Sequence, residues 1–494
     1  MKKIRFYWDF CKKPSFILLL ILIAFFLKGV FLAAAFPIFD GQDEARHYNT
    51  IQFFSEPKEK TWKINIATPQ QMQARDSNNL ETYNFSEEIK KTATAADNSA
   101  LRTEIYNTID FSNSYDGKNE AQINSKIWQP INQDYPPDIT AKSYDKLYHI
   151  LGTFIENTFA RDSILVRFYL IRIFSVLLSA LTVLCAYLIM REIGFQPKAS
   201  LIMTAIIAFQ PKFSFFTTNI SYAPLLILLF TTFTLGGILY LKNGLDWRNA
   251  ALMITSAVLG MFTKATAIVL VAMLIFMVAF MIYQKFSRRS KRAKYWSGPL
   301  FILASILVLV FFHQYLPLNN SKGISGIIVS LYEYLAKTLT IGRLGLSART
   351  YWGTLSWVNS WTLDNIINLI WLIEAFAIAG LAIFLFSKKK FDFLPEKKYI
   401  IFLISMIIAL QLGIRLADWP HFAKTGSLAL GTPGRYFLPN LASHIILVFT
   451  GLGALFAYFK KEKYFEIALK AGLVLMFAFC TYMIFDVVIY RFYL

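Results

Sequence analysis

Apolar runs close to the ~20 residues that a helix needs to cross hydrocarbon recur along the whole chain. They fall at 15–36, 168–190, 199–218, 223–241, 249–263, 265–283, 298–316, 364–386, 399–416, 435–459 and 465–489. The pattern predicts about eleven transmembrane helices. The fifth and sixth runs are nearly continuous, parted only by Thr263 and Lys264. The first follows MKKIRFYWDFCKK and exits through AAAFPIFDGQDE. It is too long for a signal h-region and lacks a convincing cleavage site, so it reads as a retained anchor.

Loop charge then orients the spans. With the N-terminus cytoplasmic, alternate short loops carry 23 basic residues against 6 acidic ones, the positive-inside pattern. The longest polar stretch, 37–165, falls outside and holds 19 of the 31 acidic residues against 13 basic ones. A second external loop, 317–363, contains Arg343, Arg349, Trp352, Trp357 and Trp361. Three units result: tail and first helix at 1–36, an external and mainly helical loop domain at 37–165, and a membrane bundle at 166–494. The fold class is an all-α polytopic membrane protein. No internal repeat supports a transporter built from inverted halves.

Composition agrees with that pattern. Hydrophobic residues make up 56% and charged residues 16%, against about 25% charged in soluble domains. Mean hydropathy is +0.45. A soluble enzyme, a disordered chain and a disulfide scaffold are excluded. Cys11, Cys185 and Cys480 avoid the long polar segment, leaving no disulfide framework and no thiolate metal site. The net charge of +19 resides in the topogenic loops, so it does not indicate nucleic acid.

Candidate chemistry gathers at the exit of the first span. Asp40, Asp43, Glu44, Arg46 and His47 lie within eight residues of one another. Acids there complement the positive end of a new helix. They also put a general base at the water–lipid boundary, tuned by a cation and an imidazole. Lys264 interrupts an apolar run, as a helix-end lysine reaching the interface or as a functional cation. Arg435 follows the Thr432-Pro433-Gly434 turn beside Tyr436, either an interfacial anchor or a phosphate ligand at a helix N-terminus. Asn219 and Tyr222 end the third run. The loop-charge orientation puts all of these, with Arg343 and Arg349, on the external face. Acids for proton transfer and cations for phosphate on one face suit transfer of a sugar from a lipid phosphate.

These residues resemble the GT-C superfamily of membrane glycosyltransferases, which includes protein O-mannosyltransferases and aminoarabinose transferases. The resemblance is strongest to bacterial multispanning members with Asp-Glu-x-x-His after the first span. Here that motif reads Asp43-Glu44-Ala45-Arg46-His47. Pro211 and Asn219, Lys264 in FTKATA, and Gly434-Arg435-Tyr436-Phe437-Leu438-Pro439 are similar to later signatures. The resemblance implies a seven-span core with added spans and juxtamembrane helices in the first external loop. It also implies a polyprenyl-phosphate sugar donor and a catalytic acid in that loop. Two positions depart from the family: no Asp follows Asn219, and the motif before the second span has become Tyr144-Asp145-Lys146-Leu147-Tyr148-His149.

The implied reaction is inverting. Asp43 first, or Glu44 second, deprotonates an acceptor hydroxyl, while Lys264 and Arg435, aided by Arg343 or Arg349, meet the leaving phosphate. Asp40, Arg46, His47, Asn219, Tyr222 and Tyr436 complete the expected binding set. No protein-held metal and no obligatory cofactor are expected; a divalent ion (Mg or Mn) bridging Asp43 and phosphate is the alternative. Expected partners are the polyprenyl-phosphate sugar, a glycan, lipid or protein acceptor, and membrane lipids. The expected location is a bacterial cytoplasmic membrane. The rival classes are a lipid-linked oligosaccharide polymerase, ligase or flippase, and a non-catalytic envelope scaffold.

Overall fold

The computed structural model describes residues 13–41, 43–55, 89, 92, 146–244, 246–287, 323–353, 361–388, 391–428 and 432–490. Among them the chain is helical, with no strand. In chain order the α-helices are α1 (Pro14–Ala35), α2 (Glu44–Ser55), α3 (Leu147–Thr158), α4 (Ile164–Glu192), α5 (Pro197–Phe209) and α6 (Pro211–Phe216). Then come α7 (Ala223–Asn243), α8 (Trp247–Thr263), α9 (Ile268–Ser287), α10 (Gly323–Thr338) and α11 (Ile341–Trp352). The last are α12 (Trp361–Phe386), α13 (Lys397–Thr425), α14 (Leu441–Tyr458) and α15 (Lys463–Tyr482).

Among the described residues, seven helical segments are long and apolar enough to cross a membrane: Pro14–Ala35, Ile164–Glu192, Ala223–Asn243, Asp364–Phe386, Lys397–Thr425, Gly434–Tyr458 and Lys463–Asp486. The chain is an integral membrane protein. The expected count of eleven is not reached among the described residues. The run at 199–218 breaks because Gln210 is extended (ψ 120°) and Pro211 opens a new helix. Proline has no N–H for the preceding turn and excludes its neighbour from helical geometry. The runs at 249–263 and 265–283 part at Lys264, which is extended (φ −160°, ψ 135°) and followed by a 3₁₀ turn, Ala265–Ala267. The expected span at 298–316 lies outside the described residues, as does most of the 37–165 loop domain.

The break after Phe209 is held from the first span. Lys28 donates to the Ala208 carbonyl and, at 2.7 Å, to Ser214 Oγ. The Gln210 side chain accepts from Phe213 N–H and donates to the Tyr351 carbonyl at 2.7 Å. The Ala208 carbonyl beside the break thus finds donors, as buried backbone requires.

α7 is the central helix, flanked by α4 and α8. Two buried apolar clusters meet around it. The larger spans α1, α4, α5, α7 and the C-terminal helices; the smaller joins α2, α3 and the start of α4 to the start of α7. Tyr222, just before α7, packs against both. That seam positions the site.

Candidate functional site

The segment between α1 and α2 is built around one arginine. Arg172, inside α4 and fully buried, spends its guanidinium on the chain end of α1. It donates to the carbonyls of Ala33 (2.6 Å), Phe36 (2.7 Å) and Pro37 (2.9 Å). Its Nε and second terminal nitrogen hold the two Glu44 carboxylate oxygens at 2.8 and 2.6 Å. Glu44 also accepts from the Gly41 N–H at 3.1 Å and the Ile220 N–H at 2.9 Å. A buried ion pair offsets its desolvation only when its remaining lone pairs and protons are satisfied, and here they are. Gly41 is needed for this closeness, since a Cβ would stand 2.7 Å from both Asn219 and Glu44.

The turn so held puts two non-glycine residues in left-handed backbone, Phe39 (φ 65°) and Asp43 (φ 58°). Asp43 precedes the first residue of α2 and its carbonyl accepts from His47 N–H at 3.1 Å. Its side chain is half-buried. Asp tolerates this conformation better than most residues, and such strain clusters at functional sites. Asp40 is buried within reach of Arg172's charge.

A second buried pair ties α2 to its neighbours. Glu156 on α3 pairs with Arg167 on α4 and accepts from Tyr48 Oη at 3.0 and 3.1 Å. Above it, His47 Nδ1 and His149 Nε2 lie 2.9 Å apart. Burial pushes the His47 imidazole down to about 4, against the opposing pull of Asp43, and Lys264 lowers it further. Burial also drives His149 well below its usual range. Both rings are neutral at pH 7, and one N–H serves the pair. Arg46 is half-buried, and its charge reaches His47.

From His47 the contacts lead to cations. The His47 ring meets the edge of Tyr222 at 5.4 Å, and Lys264 Nζ stands 4.3 Å from the Tyr222 ring centre. Tyr222, Lys264, Arg435 and Tyr436 line one narrow cleft of about 40 Å³. Arg435 stacks over Tyr436 at 5.1 Å. No acidic side chain is among the described lining residues. Buried Lys212 on α6 lies close enough to feel Arg435, and burial followed by that charge lowers its amine to about 7. The cleft suits an anion with an apolar attachment: two cations meet aromatic and aliphatic walls.

Of the residues anticipated from sequence, Asp40, Asp43, Glu44, Arg46, His47, Asn219, Tyr222, Lys264, Arg435 and Tyr436 therefore belong to one neighbourhood. Arg343 is exposed on α11, and Arg349 pairs with Asp364 at 2.8 Å; neither lines the cation cleft. Trp352 is buried, whereas Trp357 and the Trp361 side chain lie outside the described residues. Sequence reasoning overlooked Arg167, Arg172, Lys212 and a role for His149. The available signal was an ionisable residue in or beside an apolar run, a default marker of function or of a buried partner.

The family model described as dolichyl-phosphate-mannose-protein mannosyltransferase matches residues 138–324, which span His149, Arg172, Asn219, Tyr222 and Lys264. This likeness supports a membrane glycosyltransferase of the GT-C type. No curated protein and no solved structure matches the chain.

Proposed function

We propose that the protein is a membrane glycosyltransferase that moves a sugar from a polyprenyl-phosphate donor to a glycan, lipid or protein acceptor on the external face. The observation that carries the reading is the convergence of Lys264 and Arg435 on the Tyr222 cleft, one aromatic contact from the helix that begins beside Asp43. The likeness of residues 138–324 to a family named for a dolichyl-phosphate sugar supports the same donor class.

In the proposed reaction Asp43 takes the proton of an acceptor hydroxyl. The acceptor oxygen attacks the anomeric carbon as the bond to the phosphate oxygen breaks. The bonding pair leaves with polyprenyl phosphate, and attack opposite the leaving group inverts the anomeric centre. Lys264 and Arg435 meet the charge that develops on the phosphate. Glu44 acts as a positioning residue, because its carboxylate is committed to Arg172 and two backbone N–H groups. The neutral His47–His149 pair adds no charge beside Asp43. No obligatory metal enters this scheme.

The test is incubation of the purified chain with a panel of polyprenyl-phosphate sugars and a membrane extract of acceptors. Transfer that is lost on Asp43→Asn, with donor binding retained, is the expected result. Prenyl-phosphate binding without transfer from any donor would favour a flippase-like handler of the same lipid.

A further inference from the structure

The 3₁₀ helix Gly434–Asn440 is a wall with a cavity on each side. Arg435, Tyr436 and Pro439 face the cation cleft; Phe437 and Asn440 line a second and larger cavity of about 260 Å³. Its remaining wall comes from α11, α12, α13 and α14. Close packing of α11 on the wall is enforced at Gly434, where a Cβ would strike the Ser347 carbonyl.

Three ionisable side chains from three membrane-crossing segments meet in this second cavity: Glu374, Arg415 and His444. Such groups are costly at membrane depth and mark function. Two of them, with Tyr351, form an ordered chain. Tyr351 Oη lies 2.9 Å from His444 Nδ1, and His444 Nε2 lies 3.2 Å from Glu374 Oε1. About a quarter of the Glu374 and His444 side chains remains exposed, so the chain can be reached. Arg415 donates to Gln411 beside it. Asn440 is 4% exposed; its amide nitrogen donates to the Met406 carbonyl at 2.8 Å, while its Oδ1 has no partner.

The charges separate this cavity from its neighbour. The cation cleft has two cations and no acid among its described lining residues, whereas here Glu374 and Arg415 balance. A phosphate gains little from a balanced site. A group carrying several hydroxyls gains more, since each hydroxyl both donates and accepts. Glu374 and the open Asn440 Oδ1 accept; Arg415 and the Gln411 amide donate. Phe437, Leu410 and Ile407 supply the apolar surface that sugar C–H faces and an alkyl chain require.

We propose that this second cavity binds the uncharged, hydroxylated head of a glycolipid, across the 3₁₀ wall from the phosphate cleft. Its assignment as the acceptor side rests on the transferase reading above. Sugar and phosphate are thereby sorted by charge before they meet at the wall.

The experiment uses the full chain in phosphatidylcholine nanodiscs, avoiding glycoside detergents that would compete. The probes are a diazirine-bearing alkyl glucoside and a diazirine-bearing prenyl phosphate, with crosslinks mapped by mass spectrometry. The glucoside should label the 344–352 and 437–444 segments. Asn440→Leu and Glu374→Gln should each reduce that labelling about tenfold, the equivalent of roughly one good hydrogen bond. The prenyl phosphate should label the Tyr222 and Lys264 segments equally in parent and variants. Glucoside crosslinks elsewhere, unchanged labelling in both variants, or displacement of the glucoside by prenyl phosphate would overturn the proposal. Glucoside labelling that follows the two variants, beside a prenyl phosphate that labels neither cavity, would uphold the sugar site and remove the transferase reading instead.

Discussion

Arg172 and Glu44 are 128 residues apart in sequence, yet the guanidinium grips both carboxylate oxygens at 2.6 and 2.8 Å, with both side chains wholly shielded from solvent. The same guanidinium holds three carbonyls at the end of α1. One buried side chain therefore sets the shape of the turn that carries Asp43.

Removing it should be severe. Arg172→Met leaves Glu44 charged and buried, and breaking such a pair costs about 3–5 kcal/mol. Arg172→Lys should rescue little, because a lysine has three donors at one point and cannot span five acceptors. Thermal unfolding in micelles would show both variants far below the parent. A parent-like Lys variant would refute this account of the turn.

Asp43 and Glu44 should separate by readout. Asp43→Asn keeps the shape of the side chain, so stability should hold while turnover falls by about 10²–10⁴-fold, the usual general-base contribution. Glu44→Gln should lower the unfolding temperature first and turnover only through it. Turnover that survives in Asp43→Asn and dies in a stable Glu44→Gln would transfer the base role.

The cations should act on affinity. Lys264→Ala and Arg435→Ala each remove a charge-assisted contact of about 1.5–3 kcal/mol, a loss of roughly ten- to a hundredfold in donor binding. Binding of a prenyl phosphate by calorimetry measures it directly. Arg343→Ala, on the exposed face of α11, should bind as the parent does.

Acid should loosen the site through its histidines. His47 titrates at about 4 in the folded chain, below the ordinary 6.5, and His149 is lowered as well, burial being the first cause of both. The unfolded chain takes up protons first, so the two rings contribute stability in full above about pH 6.5. That stability is lost as pH falls from there through about 4. Melting temperature against pH should be level above 6.5 and slope below it. His47→Gln should flatten the slope; an unchanged profile would remove the histidines from the explanation.

Much of this was legible in the sequence and some was not. Hydropathy alone locates the seven long apolar helices among the described residues, because a continuous apolar run has few other destinations. Pro211 breaks one run into two shorter helices, and the count of eleven is not reached among the described residues. The neighbourhood of Asp43, Tyr222, Lys264 and Arg435 followed from polar residues at run ends. Arg172, Glu374, Arg415 and His444 were invisible as a set, since each sits inside a run that satisfies the length test. Only packing reveals that they have partners.

The left-handed backbone at Asp43 has a consequence for how this chain can diverge. At φ 58° a branched or bulky residue is strained, and glycine, asparagine and aspartate are the least penalised occupants. Glycine and asparagine would keep the turn and even ease it, yet neither accepts a proton near neutral pH. Sterics narrow the position to three letters, and the proposed chemistry narrows it to one. Loss of activity in this lineage would thus need a single nucleotide-scale step with no fold to repair afterwards, leaving intact, well-packed descendants that bind the lipid and transfer nothing.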